Sequence, residues 1–364
     1  MRAALRDSVQ HHLVADVPVG AFLSAGVDSG SLVGLMRDAG QQDLQTITLA
    51  FAEFLGQPRD EAPLAERVAR HYGTRHTTRR ITEQEFRQDL PRLLAAMDQP
   101  SIDGVNTWFV SKAARELGLK VAVSGLGGDE LFGGYPSFRE LPRWVRLLAL
   151  PARIPGLGDL FQRAFSARSR PPAARLSPKF AGLLKYGGSY PGAYLLRRGL
   201  FMPWELDALM DPEQARQGLA RLQPLQAIAA ALTPEPRTAF ARVAALEAGL
   251  YMRNQLLRDT DWASMAHALE VRTPLVDVVL LRRLAPALVA RRRLDGKALL
   301  AGSPINPLPP PVTARPKTGF ETPVATWLGR LEEAQTWRRS PLLNRPDCHW
   351  SRRWAYTVFH QFEA

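Results

Sequence analysis

"FLSAGVDSGS", residues 22–31, joins a short apolar run to a helical pattern through a turn of small residues. Small residues let backbone N–H groups approach an anion, and the start of the following helix adds unpaired N–H groups and the positive end of its dipole. The stretch matches neither the G-x-x-x-x-G-K-[ST] phosphate loop nor the dinucleotide-binding G-x-G-x-x-G motif. Asp28 would repel a bare phosphate, so it predicts a Mg²⁺ ion between carboxylate and phosphate. The alternative is that Asp28 or Ser29 only caps the helix.

Residues 1–135 alternate short apolar runs with helical patterns. This alternation favours an α/β fold with a parallel, doubly wound sheet. Ligands bind such sheets beyond the carboxyl ends of the strands, and both Ser24 and Ser124 lie at such ends. The predicted strands are 19–24, 44–51, 74–81 and 120–125, and the predicted helices are 29–39, 61–72, 83–97 and 107–118.

The pattern changes from residue 140 onward. No strand pattern occurs up to about residue 235, and residues 236–290 return to helical periodicity. Within them, residues 261–277 are predicted to form a scaffolding helix that ends before Pro274. The proline-dense stretch 303–320 predicts an extended surface loop, because proline blocks both helices and central strands. The predicted division is therefore an α/β core at residues 1–140 and a helical part at 141–364, with a variable middle.

A second turn of small residues follows the fourth predicted strand. "VSGLGGDELFGGYPSF", residues 123–138, ends an apolar run in Ser124 and Gly125 and continues through further glycines to Asp129. Glycines give the backbone the freedom to approach a ligand closely. If the two strands are neighbours, Asp129 is a second candidate Mg²⁺ ligand beside Asp28. The alternative is a glycine-rich turn into a helix with no ligand.

Composition limits the class of protein. No stretch approaches eighteen consecutive apolar residues, so neither a membrane-spanning segment nor a membrane partner is predicted. Cys348 is the single cysteine, which excludes an intrachain disulfide and fits a cytoplasmic location. The net charge is +12, but the arginines scatter and form no aromatic-interleaved stripe, so no nucleic-acid partner is predicted. The charge suits an anionic substrate such as a nucleotide.

Four motifs in order carry a family resemblance. "FLSAGVDS" resembles the S-G-G-x-D-S loop of the PP-loop ATP pyrophosphatases. "SGLGGDELFGGY", "DWASMAHALEVRTPLVD" (261–277) and "RPKTGFETPVATWL" (315–328) resemble the synthetase domain of class B asparagine synthetases. The resemblance implies the parallel α/β sheet of the PP-loop ATP pyrophosphatase type with a helical C-terminal portion.

The resemblance also implies an activity, with ATP and Mg²⁺ as cofactors. An ATP-dependent, amide-forming ligase of this type activates a carboxylate as an acyl-adenylate with release of pyrophosphate, and ammonia then displaces AMP. Asp28 and Asp129 would hold Mg²⁺, and Lys317 would contact the phosphates as a catalytic residue together with Asp129 and Glu130. The implied ATP- and pyrophosphate-binding residues are Leu23, Ser24, Ala25, Gly26, Asp28, Ser29, Leu49, Ser124 and Gly125.

The sequence departs from the family at three internal positions. Ala25 replaces a loop glycine, which is tolerable if its φ stays negative. Leu126 stands where the family carries an acid that handles the protons of ammonia, so Glu130, another acid, solvent or phosphate must serve, or the reaction differs. Residues 98–112 lack the Thr-x-x-Arg arrangement expected to hold aspartate, so the acyl substrate need not be aspartate.

Several functional alternatives stay open. The family's glutaminase domain, with its N-terminal cysteine nucleophile, is not present in this sequence, so we expect no glutaminase activity from it. The alternatives are the use of free ammonia, a separate glutaminase subunit, or that the sequence is a fragment of a longer protein. The leading function is the amide-forming ligase. A degenerate, non-catalytic nucleotide-binding scaffold is the alternative, and a PP-loop tRNA-modifying enzyme is a third. The sequence does not define the acyl substrate or the oligomeric state.

Overall fold

A five-stranded, all-parallel sheet is the centre of the computed structural model, which describes residues 1–167, 178–290, 296–315, 321–331 and 335–363. The strand order is β3-β2-β1-β4-β5. The predicted α/β class and doubly wound parallel sheet are confirmed. The strands are β1 (Val19–Phe22), β2 (Gln45–Phe51), β3 (Arg75–Ile81), β4 (Val121–Val123) and β5 (Glu270–Arg272).

Seven α-helices lie before, between and directly after the first four strands. They are α1 (Arg2–His12), α2 (Val27–Asp38), α3 (Ala62–Tyr72), α4 (Glu83–Ala96), α5 (Val105–Glu116), α6 (Gly128–Phe132) and α7 (Ser137–Leu148). Local sequence explains their ends. Thr82 caps α4 by accepting from the backbone N–H of Glu85 at 3.2 Å. Gly73 ends α3 in the left-handed conformation, with φ of 62°.

Helix α2, which follows the loop at residues 24–26, is a central element rather than a surface one. Eight consecutive residues, Ser29–Met36, are buried. Helices α1, α3 and α16 (Gly296–Ala301) pack against it. Glycine allows this packing, because a Cβ atom at Gly34 would come within 2.7 Å of the ring of Tyr72 in α3. The position of the α2 N-terminus is therefore fixed by the core.

The remainder of the chain is mainly helical, as predicted. A ten-residue π-helix, Glu247–Leu256, leads directly into the helix that begins at Leu257. The further helices are α8 (Leu157–Ala167), α9 (Leu183–Tyr186), α10 (Tyr190–Arg198), α11 (Pro212–Leu222), α12 (Pro224–Ala230), α13 (Ala239–Leu246), α14 (Leu257–Met265), α15 (Val278–Ala290), α17 (Pro310–Thr313), α18 (Val324–Arg330) and α19 (Trp350–Glu363).

The chain divides into two compact units. The first is Met1–Gly134 with Met252–Leu331 and contains the sheet; the second is Tyr135–Tyr251 with Glu332–Glu363. In the second unit, Leu141, Ala193, Tyr194, Leu232, Val243 and Leu246 form a buried apolar cluster. The division at residue 140 inferred from composition stays a prediction. No helix among the described residues is long and apolar enough to cross a membrane.

Beside that cluster lies a buried carboxylate, Glu247, with no exposed surface. It accepts hydrogen bonds from Ser137 Oγ, from Tyr194 at 3.4 Å and from Arg198 Nε at 2.9 Å. The Arg198 guanidinium in turn lies over the rings of Tyr135 and Tyr251, 4.6 and 3.7 Å from their centroids. Glu247 thus joins several helices of the second unit.

Two predictions about the C-terminal part are wrong. The helix expected to continue until just before Pro274 ends at Met265, and residues 270–272 form β5, the fifth strand beside β4. Strand β5 is Glu-Val-Arg, which shows no apolar run in sequence, unlike the Val-Ala-Val of β4. Residues 303–315, the described part of the stretch 303–320, are not simply an extended surface loop, since Leu308 and Val312 are buried and α17 begins at Pro310. Proline fits there because the first helical positions need no N–H donor.

Candidate active site

Strands β1 and β4 are adjacent and parallel, and the chain leaves them in opposite directions, toward β2 and β5. This arrangement creates a crevice at their carboxyl ends, where ligands of doubly wound sheets bind. The backbone N–H of Leu23 donates to Ile47 at 2.8 Å, and that of Ser124 donates to Arg272 at 2.8 Å. Both turns predicted from sequence therefore begin at this one crevice.

The turn after β1 is held by its own side chains. Ser29 Oγ receives the backbone N–H of Ser24 at 3.0 Å and lies 2.8 Å from Ser24 Oγ, which accepts the N–H of Gly26 at 3.1 Å. Helix α2 has Gly26 as its N-cap and no side-chain cap, so the interpretation of Asp28 or Ser29 as a mere cap is wrong. Ala25 does not have a positive φ and its methyl group is buried, so the expected tolerance of alanine holds.

Asp28 and Asp129 meet at one cation, Lys297. The ammonium of Lys297 lies 2.7 Å from Asp129 Oδ1 and also bonds Asp28 Oδ1. All three side chains are mostly buried, with exposed fractions of 21%, 21% and 16% for Lys297, Asp28 and Asp129. Burial opposes the charge of Lys297, but the two carboxylates outweigh it and raise the pKa of the ammonium above its ordinary value. The loops after β1 and β4 are thereby joined.

Glycines make this approach possible. Gly128 lies against the carboxylate of Asp28, and Gly134 lies against that of Asp129 and the side chain of Lys297. A Cβ atom at either position would collide with these groups. Gly125 likewise permits close contact between the two loops, since a Cβ atom there would lie 2.8 Å from the backbone nitrogen of Ser29. The glycine pattern of residues 125–134 thus reflects close contact with the loop that carries Asp28.

Lys297 was missed in the sequence analysis. It is the second residue of α16, which packs against α2 and α6, and the first residue, Gly296, lies against the backbone of Phe132. It lies outside the four recognised motifs. The signal that could have singled it out is its residue type, because only six of the 47 basic residues are lysines.

The other predicted residues lie as follows. Leu23, directly after β1, and Leu49, on β2, are buried, whereas Ser124 and Gly125 are half-buried after the end of β4. Glu130 is only 4% exposed, on α6, and Leu126 is half-buried, with its N–H 3.4 Å from Ser124 Oγ. Lys317 lies outside the described residues. Its catalytic role, like that of Glu130, stays a prediction.

The segment 98–112, which lacks the Thr-x-x-Arg arrangement, contacts the π-helix and α14. Asp103 accepts from Gln255 at 3.2 Å, and Gln99 donates to the backbone of Asn254 at 2.9 Å. Behind them, buried Asp259 accepts from Ser101 at 2.7 Å. Burial raises the pKa of Asp259 to about 6. Most of these polar groups are thus satisfied within the protein.

Among the described residues, no group of three or more histidine, cysteine, aspartate or glutamate side chains could hold a metal ion by itself. Magnesium, however, is usually bound by one or two carboxylates together with the phosphate oxygens of a substrate. Asp28 and Asp129 converge on one point, where they already share a cation. This donor set fits Mg²⁺ that arrives with a nucleotide.

Comparison with known proteins gives one consistent family. The family model described as asparagine synthase matches residues 1–351. A putative glutamine-hydrolyzing asparagine synthetase of Mycobacterium tuberculosis is 31% identical over 360 residues, which cover 92% of this chain and 49% of the relative. The glutamine-hydrolyzing asparagine synthetase 1 of Bacillus subtilis is 25% identical over 353 residues, covering 93% and 51%. The chain therefore spans about half the length of these curated relatives.

Proposed function

Because the chain belongs to the asparagine synthase family, we propose that it is an ATP-dependent ligase that forms an amide through an acyl-adenylate. One observation carries the proposal: the carboxylates of Asp28 and Asp129 converge on Lys297 at the crevice between β1 and β4. Carboxylates, a cation and a helix N-terminus together suit a metal–triphosphate complex. The match to all of residues 1–351 supports the same reaction class.

In the proposed first step, a carboxylate oxygen of the acyl substrate attacks the α-phosphorus of ATP. The bond from this phosphorus to the bridging oxygen breaks, and pyrophosphate leaves. Asp28 and Asp129 would hold Mg²⁺, which would neutralise negative charge on the departing pyrophosphate. The N-terminus of α2 and the ammonium of Lys297 offer further positive charge, and Lys317 is proposed to contact the same phosphates.

In the proposed second step, ammonia attacks the acyl carbon, AMP leaves and the nitrogen loses a proton. Leu126 cannot accept that proton, and Glu130 beside Asp129 is the proposed acceptor, with solvent or phosphate as the alternatives. The single cysteine does not favour glutamine hydrolysis, because burial raises the pKa of the Cys348 thiol and disfavours the nucleophilic thiolate. We therefore propose ammonia as the direct nitrogen donor, supplied free or by a separate glutaminase subunit.

The test is pyrophosphate release from ATP with ammonium and a panel of carboxylates that includes aspartate. We expect release with at least one carboxylate, and ammonium but not glutamine should support amide formation. Asp28→Ala and Asp129→Ala should abolish release. Asp43→Ala is the matched control, because Asp43 forms only an exposed ion pair with Arg75. Near-normal rates in both site variants would overturn the assignment of these carboxylates.

Leu126 favours a second candidate, a nucleotide-binding scaffold without catalysis, because leucine has no acid–base chemistry. Under this alternative the protein would bind ATP but release no pyrophosphate with any carboxylate. Release that requires tRNA would instead support a tRNA-modifying enzyme. The same assay therefore distinguishes the three functions.

A further inference from the structure

One buried carboxylate, Glu61, lies directly behind the loop at residues 24–26. Glu61 precedes α3 and is 8% exposed. Its Oε2 accepts the backbone N–H of Ala25 at 3.3 Å, and its Oε1 receives Arg315 Nη1 at 3.3 Å. The loop and Arg315 are thus attached to the two oxygens of one carboxylate, although they lie far apart in sequence.

Arg315 is held firmly in this position. Its side chain is 17% exposed, and Nη2 donates to the carbonyl of Pro58 at 3.0 Å. Burial raises the pKa of Glu61, and the positive charge of Arg315 opposes this effect. Arg315 is therefore the counter-charge for Glu61.

The pairing of Glu61 with Arg315 reduces electrostatic repulsion in the proposed site. A carboxylate suits the N–H of Ala25, but an anion buried behind a pyrophosphate-binding loop would repel pyrophosphate. A guanidinium on the other oxygen of that carboxylate cancels the repulsion. The Glu61 carboxylate thus lies between the amide of Ala25 and the guanidinium of Arg315.

We propose that Glu61 and Arg315 are positioning residues of the pyrophosphate loop: Glu61 fixes the amide of Ala25, and Arg315 neutralises Glu61 so that the loop accepts an anion. This proposal rests on the proposed function, because it assumes that the loop binds pyrophosphate. It predicts that the two side chains are coupled, and that loss of Arg315 harms binding mainly when Glu61 keeps its charge.

The experiment measures binding of magnesium pyrophosphate by calorimetry to the full chain and to three variants. Arg315→Met leaves an unpaired anion and should weaken binding by about tenfold or more, the effect of a like charge near the ligand. Glu61→Gln keeps an acceptor for Ala25 without the charge and should bind within about threefold of the unchanged protein. The double variant should recover most of the affinity lost in Arg315→Met, because no unpaired anion remains.

Arg59→Met is the matched control. It removes an equal charge two residues from Glu61, but Arg59 forms an exposed ion pair with Glu321. We expect unchanged pyrophosphate binding. A similar loss in Arg59→Met would mean that the affinity follows overall charge rather than the Glu61–Arg315 pair, and would overturn the proposal.

The remaining outcomes are also decisive. A purely structural role predicts that the double variant binds no better than Arg315→Met, and that result would overturn the proposal while leaving the ligase function intact. Unchanged binding in Arg315→Met would also overturn the proposal and leave the ligase function intact.

If the unchanged protein binds neither pyrophosphate nor ATP, the proposed function itself is wrong. Should Arg315→Met not fold, a folded double variant that binds within about threefold supports the coupling, and one that has lost binding refutes it.

Discussion

Gly128 lies directly against the carboxylate of Asp28, although 100 residues of sequence separate them. The contact leaves no room for a Cβ atom at position 128. Gly128→Ala should displace Asp28 from Lys297 and lower ATP-dependent pyrophosphate release by about 100-fold, the effect of misplacing a reacting group by about 1 Å. The measurement is the steady-state rate, together with the unfolding temperature.

The control for this substitution is Gly218→Ala in α11, where a Cβ atom would have nothing within 4 Å. It should leave the rate unchanged and stabilise the protein by about 0.5–1 kcal/mol, because alanine is the better helix former. Equal rates in Gly128→Ala and the unchanged protein would show that the position of Asp28 does not limit the reaction.

Lys297→Met should leave two mostly buried carboxylates facing each other without a cation. Removal of one partner from a buried ion pair costs about 3–5 kcal/mol of folding free energy. We expect a lower unfolding temperature without ligand and a larger rise on adding Mg²⁺ than the unchanged protein shows, since Mg²⁺ can replace the lost cation between Asp28 and Asp129. Thermal denaturation with and without Mg²⁺ measures both effects.

Lys185→Met is the comparison for Lys297→Met, because Lys185 forms an ion pair with the exposed Asp159. Its unfolding temperature should not respond more strongly to Mg²⁺ than that of the unchanged protein. If Lys297→Met shows no enhanced response either, the two carboxylates do not form a metal site.

Asp259 should make the protein less stable as the pH rises from about 4 to 6. Burial raises the pKa of its carboxyl from the ordinary 3.8 to about 6, so in this window the folded state keeps a proton that the unfolded state has lost. The maximum effect is about 3 kcal/mol, since each pKa unit corresponds to about 1.4 kcal/mol. The loss levels off as the pH passes through the folded pKa and is complete about one pH unit above it.

Asp259→Asn removes this dependence and can keep both hydrogen bonds, to Ser101 and to Trp262. We expect its free energy of unfolding, from urea titrations, to exceed that of the unchanged protein by about 1–3 kcal/mol at pH 7 and to converge with it near pH 4. A constant difference between the two proteins across this range would contradict the raised pKa.

Glu247→Ala should be among the more destabilising single changes in the second unit. It leaves the Arg198 guanidinium without its buried counter-charge and should cost about 3–5 kcal/mol in urea unfolding. Glu247→Gln keeps an acceptor and should cost less. Glu213→Ala, which removes an exposed glutamate paired with Arg216, should leave stability unchanged. Equal stability of Glu247→Ala and Glu213→Ala would show that the buried network does not hold the second unit together.

Strands β1 to β4 lie within the segments predicted from sequence. Strands β1, β2 and β4 are mostly buried apolar runs, as is typical of parallel strands, whereas the edge strand β3 is mostly polar and only half-buried. Strand β5 has three residues in a region of helical periodicity, and its hydrogen bonds to β4 alone define it. Pairing of this kind is a tertiary effect that composition does not encode.

Prediction of the candidate active site from sequence has the same limit as prediction of the sheet. The sequence predicts that Asp28 and Asp129 lie close together, because each follows the end of a strand and neighbouring parallel strands end at one edge of the sheet. Lys297 is 269 residues from Asp28, on a short helix whose sequence has no motif spacing. Only packing of α16 against α2 and α6 places its ammonium between the two carboxylates.

The burial of α2 has a consequence for how a ligand is received. Its first turn cannot reorient without disturbing residues 29–36, all of which are enclosed by neighbouring helices and the sheet. The amides at its N-terminus are therefore in their final directions before any anion arrives, and the entropy of ordering them is lost during folding rather than during binding. Affinity at this end of the helix depends on the integrity of the core, so substitutions deep beneath the loop, such as at Gly30 or Gly34, should weaken nucleotide binding without contacting the nucleotide.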